Sequence, residues 1–143
     1  MAGFIGIITD IGVEKMRDAQ NLEGWKIYPE SFGVSNVATA GTPTDWKSMT
    51  VPNAGEWYVG AISSRIPVDT DKMKFVCIIP PEQAAGLETV DEIYIYAKDS
   101  NDDTFLMAVA QPTNTTYYDP DGGSTTLRPQ MTIINADLES ILQ

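Results

Sequence analysis

The sequence predicts an α+β domain: one N-terminal helix packed on an antiparallel β-sandwich or sheet, with a short C-terminal helix. Three observations predict it. Near the start, Val13, Met16 and Ala19 fall on one face at helical spacing. After Gly24 the pattern changes to period two and holds that period through most of the remaining chain. At the end, Leu138, Ile141 and Leu142 return to a helical stripe. A chain of 143 residues fits one domain. At that size roughly two-thirds of the unfolded surface can be buried without disulfides or metal. The expected organisation is therefore a single domain over 1–143. It comprises an N-terminal strand and helix (1–24), a β-rich body (25–134) and a helical tail (135–143).

Thr9 opens the first helix as its cap, with Ile8 and Val13 placed as the two halves of a hydrophobic staple. Gly24 supplies a stop. So short a helix needs packing to hold it. In the next segment Trp25 and Ile27 alternate with Lys26 and Tyr28, and Phe32 and Val34 alternate with Gly33 and Ser35. Residues 36–56 read as a long loop, punctuated by Gly41, Pro43, Pro52 and Gly55 and anchored by Trp46. Loops of that length commonly carry function or meet a partner.

The second half reads as β. Residues 57–66 form one strand and 73–79 another, which stops at Pro80-Pro81 because proline cannot continue a central ladder. Residues 90–98 place Ile93, Ile95 and Ala97 on one face and Tyr94 and Tyr96 on the other. Aromatics on the second face imply that it too is covered, with another subunit as one candidate cover. The polar run Asp99-Ser100-Asn101-Asp102-Asp103 turns the chain, and 104–110 returns as a hairpin partner. A Pro-, Asn-, Thr- and Gly-rich loop covers 111–123. A last strand over 124–134 aligns Leu127, Met131 and Ile133 on one face with Pro129, which marks an edge position. Asn135 then caps a helical tail over 136–142.

Composition narrows the function. Twenty acidic residues against nine basic ones give a formal net charge of −11. Nucleic-acid binding needs Lys and Arg to displace counterions from phosphate, so no nucleic-acid partner is expected. The single cysteine, Cys77, excludes an internal disulfide and any zinc site built on several cysteines. It lies in the apolar run Phe75-Val76-Cys77-Ile78-Ile79, where a small buried hydrophobe belongs. No stretch of about twenty apolar residues occurs, so membrane insertion is not expected. The chain has no histidine, which excludes Ser-His-Asp and Cys-His arrangements. Phosphate-loop, dinucleotide and nucleophile-elbow motifs do not occur either. Asp99, Asn101 and Asp103 alternate like the start of a calcium loop. Thr104 stands where that loop needs glycine and Ala110 where it needs a bidentate Glu, so a solvated turn is the better reading. The expectation is a protein without enzymatic activity, cofactor or metal.

Several segments, in order, resemble the N-terminal domain of phage tail-collar fibre proteins from contractile-tailed phages and related prophage particles. Ile7-Ile8-Thr9-Asp10-Ile11-Gly12 looks like that family's short strand and helix opening. Met73 through Glu82 looks like its apolar strand ending at proline. Val90 through Gln111 looks like its hairpin with an Asp-rich turn, and the segment from Pro112 to Ile133 looks like its Pro-Tyr loop and Gly-Gly-Ser-Thr entry to a final strand. Departures are Asp103, where the family's turn often has glycine, and residues 34–55, which match little. Family members commonly continue into a fibre shaft, whereas this sequence ends at Gln143.

The resemblance implies a structural virion protein, assembled in the host cytoplasm, that attaches or forms fibres at the baseplate or tail collar. It implies a homotrimer whose partners are other tail, baseplate and fibre proteins. Ile5, Ile7 and Ile8 near one end and Leu138, Ile141 and Leu142 near the other are candidate contact residues, because apolar groups are costly to leave in water, and Trp46 joins them from the long loop. The alternative is a carbohydrate-binding module at the host surface, using Trp46, Trp57, Tyr117 or Tyr118 to stack on sugars.

Overall fold

The structure, a computed structural model, describes residues 3–21, 26–69 and 72–132. Its elements in chain order are β1 (Phe4–Ile8), α1 (Asp10–Asn21), β2 (Tyr28–Ser35), a 3-10 turn (Pro43–Trp46), β3 (Glu56–Asp69) and β4 (Lys72–Ile79). Then follow β5 (Glu88–Thr89), β6 (Glu92–Lys98), β7 (Thr104–Pro112), β8 (Tyr117–Tyr118), β9 (Thr125–Leu127) and β10 (Gln130–Thr132). The main sheet has the order β1-β7-β6-β2-β3-β4-β10, and β9 pairs with β4 beside β10. All its pairings are antiparallel. Direction alternates along that order, so β1 and β10 run the same way. The sheet curls until these two end strands lie side by side.

This overturns the α+β sandwich expectation. The protein is mainly β: one curled antiparallel sheet closes over its own interior, and α1 is a single addition to it rather than a layer. Alternating apolar residues report that one face of a strand is buried, but not whether a second sheet or the same sheet buries it. Bulges decide the matter here. Register shifts fall between Pro29 and Ser31, Val34 and Ser35, Ile62 and Ser64, Pro67 and Asp69, and Ile95 and Tyr96. Each extra residue bends its strand and raises the local twist, which turns a flat sheet into a curled one.

The interior holds Phe32, Phe75, Ile79, Ile93, Ile95 and Met107, all fully buried, with Met16 and Ala19 of α1 reaching the same core. The helix begins where the sequence places it. The Thr9 hydroxyl accepts from the Gly12 amide at 3.0 Å and donates to the Leu106 carbonyl at 2.6 Å. One side chain therefore caps the helix and fastens it to β7. Gly24 and Trp25, and the expected tail helix over 135–143, lie outside the described residues.

Two strand expectations change. The strand expected over 90–98 begins at Glu92, and Glu88–Thr89 before it pairs with Tyr117–Tyr118, expected as loop, in a small second sheet. The expected final strand splits into β9 and β10 at Arg128-Pro129, where the Pro129 carbonyl still accepts from the Phe75 amide at 2.9 Å. The carbonyl keeps a bond to β4 while proline, lacking an N–H, interrupts the ladder.

Candidate functional site

The outer face of the sheet is sealed over one half and open over the other, and this division defines the candidate site. Along β6 the alternation that sends Ile93 and Ile95 inward sends Tyr94 and Tyr96 outward. The outer cluster is Trp46, Tyr94, Leu106 and Val109, with Ile7, Met49 and Tyr96 packed on it. Its cover is the chain's own 36–56 loop rather than another subunit: Trp46 and Met49 come from that loop.

A buried carboxylate holds the loop in place. Glu92 opens β6 and is completely shielded from solvent. Its Oε1 accepts from the Thr39 hydroxyl at 2.8 Å, the Asn53 side-chain amide at 2.9 Å and the Tyr94 hydroxyl at 2.7 Å. Its Oε2 accepts from the Thr39 backbone amide and the Gln111 side-chain amide, both at 2.8 Å. Neutral donors from the loop, β6 and β7 thus meet both oxygens, and this satisfaction makes a buried carboxylate tolerable. The Tyr94 hydroxyl accepts in turn from the Asn53 amide at 3.1 Å. Burial is the main reason the Tyr94 and Tyr96 phenols are pushed above their ordinary range, and carboxylates at Glu92 and Glu56 accepting from them add to it. The arrangement works as a clamp: every polar group around Glu92 positions the loop.

Past Tyr96 the cover ends. The Glu56 carboxylate accepts from Tyr96 and lies over Gly33, leaving no room there for a Cβ. Beyond it, Val59, Ala61 and Ile66 of β3 and Ile78 of β4 point outward and are exposed. Sequence reading missed these residues as a group. Their signal is an apolar residue on both phases of a strand's alternation, as at Val59 with Ile62 and Cys77 with Ile78.

The expected contact residues scatter. Ile5 is exposed, Ile7 is half-buried under the loop, and Ile8 and Trp46 belong to the chain's own packing. Leu138, Ile141 and Leu142 lie outside the described residues. Of the aromatics proposed for sugar stacking, Tyr118 is fully buried and Trp57 packs on it at 5.1 Å between ring centroids while donating to the Thr89 carbonyl. Tyr117 is the exposed one. Asp99 is a buried turn residue: its carboxylate takes Lys15 Nζ at 2.7 Å and the amides of Asn101 and Asp103 at 2.8 and 3.1 Å. Among the described residues no group of three or more His, Cys, Asp or Glu side chains is placed to hold a metal ion.

No family model, no curated protein and no solved structure matches the chain.

Proposed function

We propose that the chain is a structural protein of a bacteriophage tail, attaching or forming fibres at the baseplate or collar as a homotrimer. The observation that carries this reading is the open half of the outer sheet face. A 15.6 kDa chain that uses a 21-residue loop (residues 36–56) to seal half of that face leaves Val59, Ile66 and Ile78 in water on the other half. Ala61 and Ile78 are cross-strand neighbours there with Val59 two residues on, and exposed apolar side chains grouped in that way mark a contact site.

The sequence resemblance supports the same reading. Its segments become β1 with the start of α1, β4, the β6–β7 hairpin, β8 and β9–β10, and of these strands all but β8 belong to the main sheet. The segment that resembles little becomes the outer loop. A framework that keeps its sheet and varies its loop suits an attachment domain.

Light scattering on the purified chain tests the assembly: the expected mass is three times 15.6 kDa, and a monomer at all concentrations overturns the trimer. Gold-labelled antibody against the chain, imaged on phage particles from its source, tests the location. Label confined to tails is the expected result; label on capsids alone, or on no particle, overturns it.

A further inference from the structure

The open sheet face carries a second property besides being apolar. Lys74 points outward on β4 beside Ile66, and Arg128 is exposed at the break between β9 and β10. Neither has an ion-pair partner among the described residues, although the chain carries a net charge of −11. This face is therefore apolar, with cations along its β4–β9 margin and the Tyr96-bonded Glu56 carboxylate at the opposite margin.

An opposite surface lies on the small β5–β8 sheet. Thr89 pairs with Tyr117 and Glu88 with Tyr118, so one step further Leu87 stands opposite Asp119. Residues 87, 89, 117 and 119 then share a face, since side chains alternate along a strand. Leu87 and Tyr117 on that face are 72% and 66% exposed. Around them Glu82, Asp119 and Asp121 are exposed and have no cation partner among the described residues. The Glu82 amide is tied to the Pro120 carbonyl at 3.0 Å, which holds the two loops together. This second surface is apolar with an anionic margin. It is fixed to the main sheet by Tyr118, which donates to the Pro80 carbonyl, and by Trp57, so one molecule cannot lay it over its own β3–β4 face.

We propose that these two surfaces are the two halves of one contact between copies of this chain: the β3–β4 face of one copy receives the β5–β8 face of the next. Charge dictates that unlike faces meet. A two-fold contact that laid either charged margin on its own copy would set like charges against each other, Lys74 and Arg128 against themselves or Glu82, Asp119 and Asp121 against themselves. Contact between unlike faces of identical molecules builds a ring or a filament. The inference rests on the trimer reading above and gives that trimer its interface: three head-to-tail contacts closing a ring.

Sedimentation velocity on the full chain tests it with three variants: Lys74→Glu with Arg128→Glu, Glu82→Lys with Asp121→Lys, and all four changes together. Each charge-reversed pair is expected to weaken association at least tenfold, and the fourfold variant, whose charges are complementary again, to recover it. The wild type is expected to associate more weakly as salt rises, a result that needs no variant. Far-UV circular dichroism and melting confirm that each variant is folded. A wild-type oligomer that ignores salt and both reversed pairs overturns this interface and leaves the tail-protein reading intact. The same holds if both pairs dissociate and the folded fourfold variant stays apart. A monomeric wild type overturns the interface and the trimer together.

Discussion

Glu92 shows how much depends on one side chain. Three donors meet one of its oxygens and two the other, so both edges of the carboxylate must accept. Glutamine keeps the shape but turns one accepting edge into a donor, so the N–H or O–H groups that face that edge lose the acceptor that anchors them. Glu92→Gln is therefore expected to lower stability by about 2–4 kcal/mol, the cost of several buried donors left unmade. Urea denaturation measures it, and a change below about 0.5 kcal/mol, the usual range for a surface substitution, would show that the clamp is dispensable. Cys77 makes the opposite case. It is fully buried on β4, and burial pushes its thiol up to about 12, outweighing the pull of Arg65. Thiolate is the reactive form, so a thiol reagent at pH 8 is expected to leave the native protein unlabelled and to label it in denaturant. Rapid labelling of the folded chain would contradict the burial. Cys77 was legible as a buried hydrophobe from its neighbours alone. Glu92 was not: it is one of twenty acidic residues, and its partners Thr39, Asn53 and Gln111 are 53, 39 and 19 positions away.

At the scale of elements, α1 depends on a close approach to β7. A Cβ on Gly12 would stand 2.6 Å from the Met107 carbonyl oxygen and 2.8 Å from the Ile8 Cγ2. Both atoms are buried, and one is backbone, so the helix or the strand must shift. Alanine at an unhindered helix position would gain about 1 kcal/mol over glycine. Here overpacking of about 1–3 kcal/mol opposes and exceeds that gain. Gly12→Ala is therefore expected to lower the melting temperature, and a rise would show that α1 stands further from β7 than these distances say. The helix itself was readable, because Thr9 as cap and the spacing of Met16 and Ala19 are local signals. The glycine's reason was not, because Met107 is 95 positions away. The same limit explains Trp46 and the outer tyrosines. A sequence shows that Tyr94 and Tyr96 need cover, but cover from the chain's own loop and cover from a neighbour leave the same trace. The curl was hidden for a related reason: a bulge adds one residue to a strand and carries no composition of its own.

Over the whole molecule, an ion pair with a fully buried carboxylate ties the helix to a distant turn. Lys15 on α1 and Asp99 in the β6–β7 turn meet at 2.7 Å across 84 positions. Burial alone would raise the Asp99 carboxyl, but the hydrogen bond from Lys15 and those from the Asp103 and Asn101 amides outweigh it and leave it below its ordinary 3.8. The Asp99 hydrogen bond likewise holds Lys15 above its ordinary 10.5. A carboxyl lowered on folding contributes stability that is complete above its unfolded value and disappears as pH falls through the folded one. An ammonium raised on folding contributes stability that is complete below its unfolded value and disappears as pH climbs through the folded one. Together these signs set a plateau from about pH 5 to about pH 9, bounded by falls on either side. Asp99→Asn isolates the effect, because the amide oxygen can still accept from Asn101 and Asp103 while the charge facing Lys15 is gone. The expected loss is about 1.5–3 kcal/mol on the plateau, the range for a hydrogen bond to a charged group. Melting both proteins at each pH and taking the difference removes the general repulsion of a chain at −11, which both share apart from the one charge. The difference should shrink below pH 3.8 and again above pH 10.5, and a gap that widens on acidification would mean that Asp99 is not held as a carboxylate by Lys15.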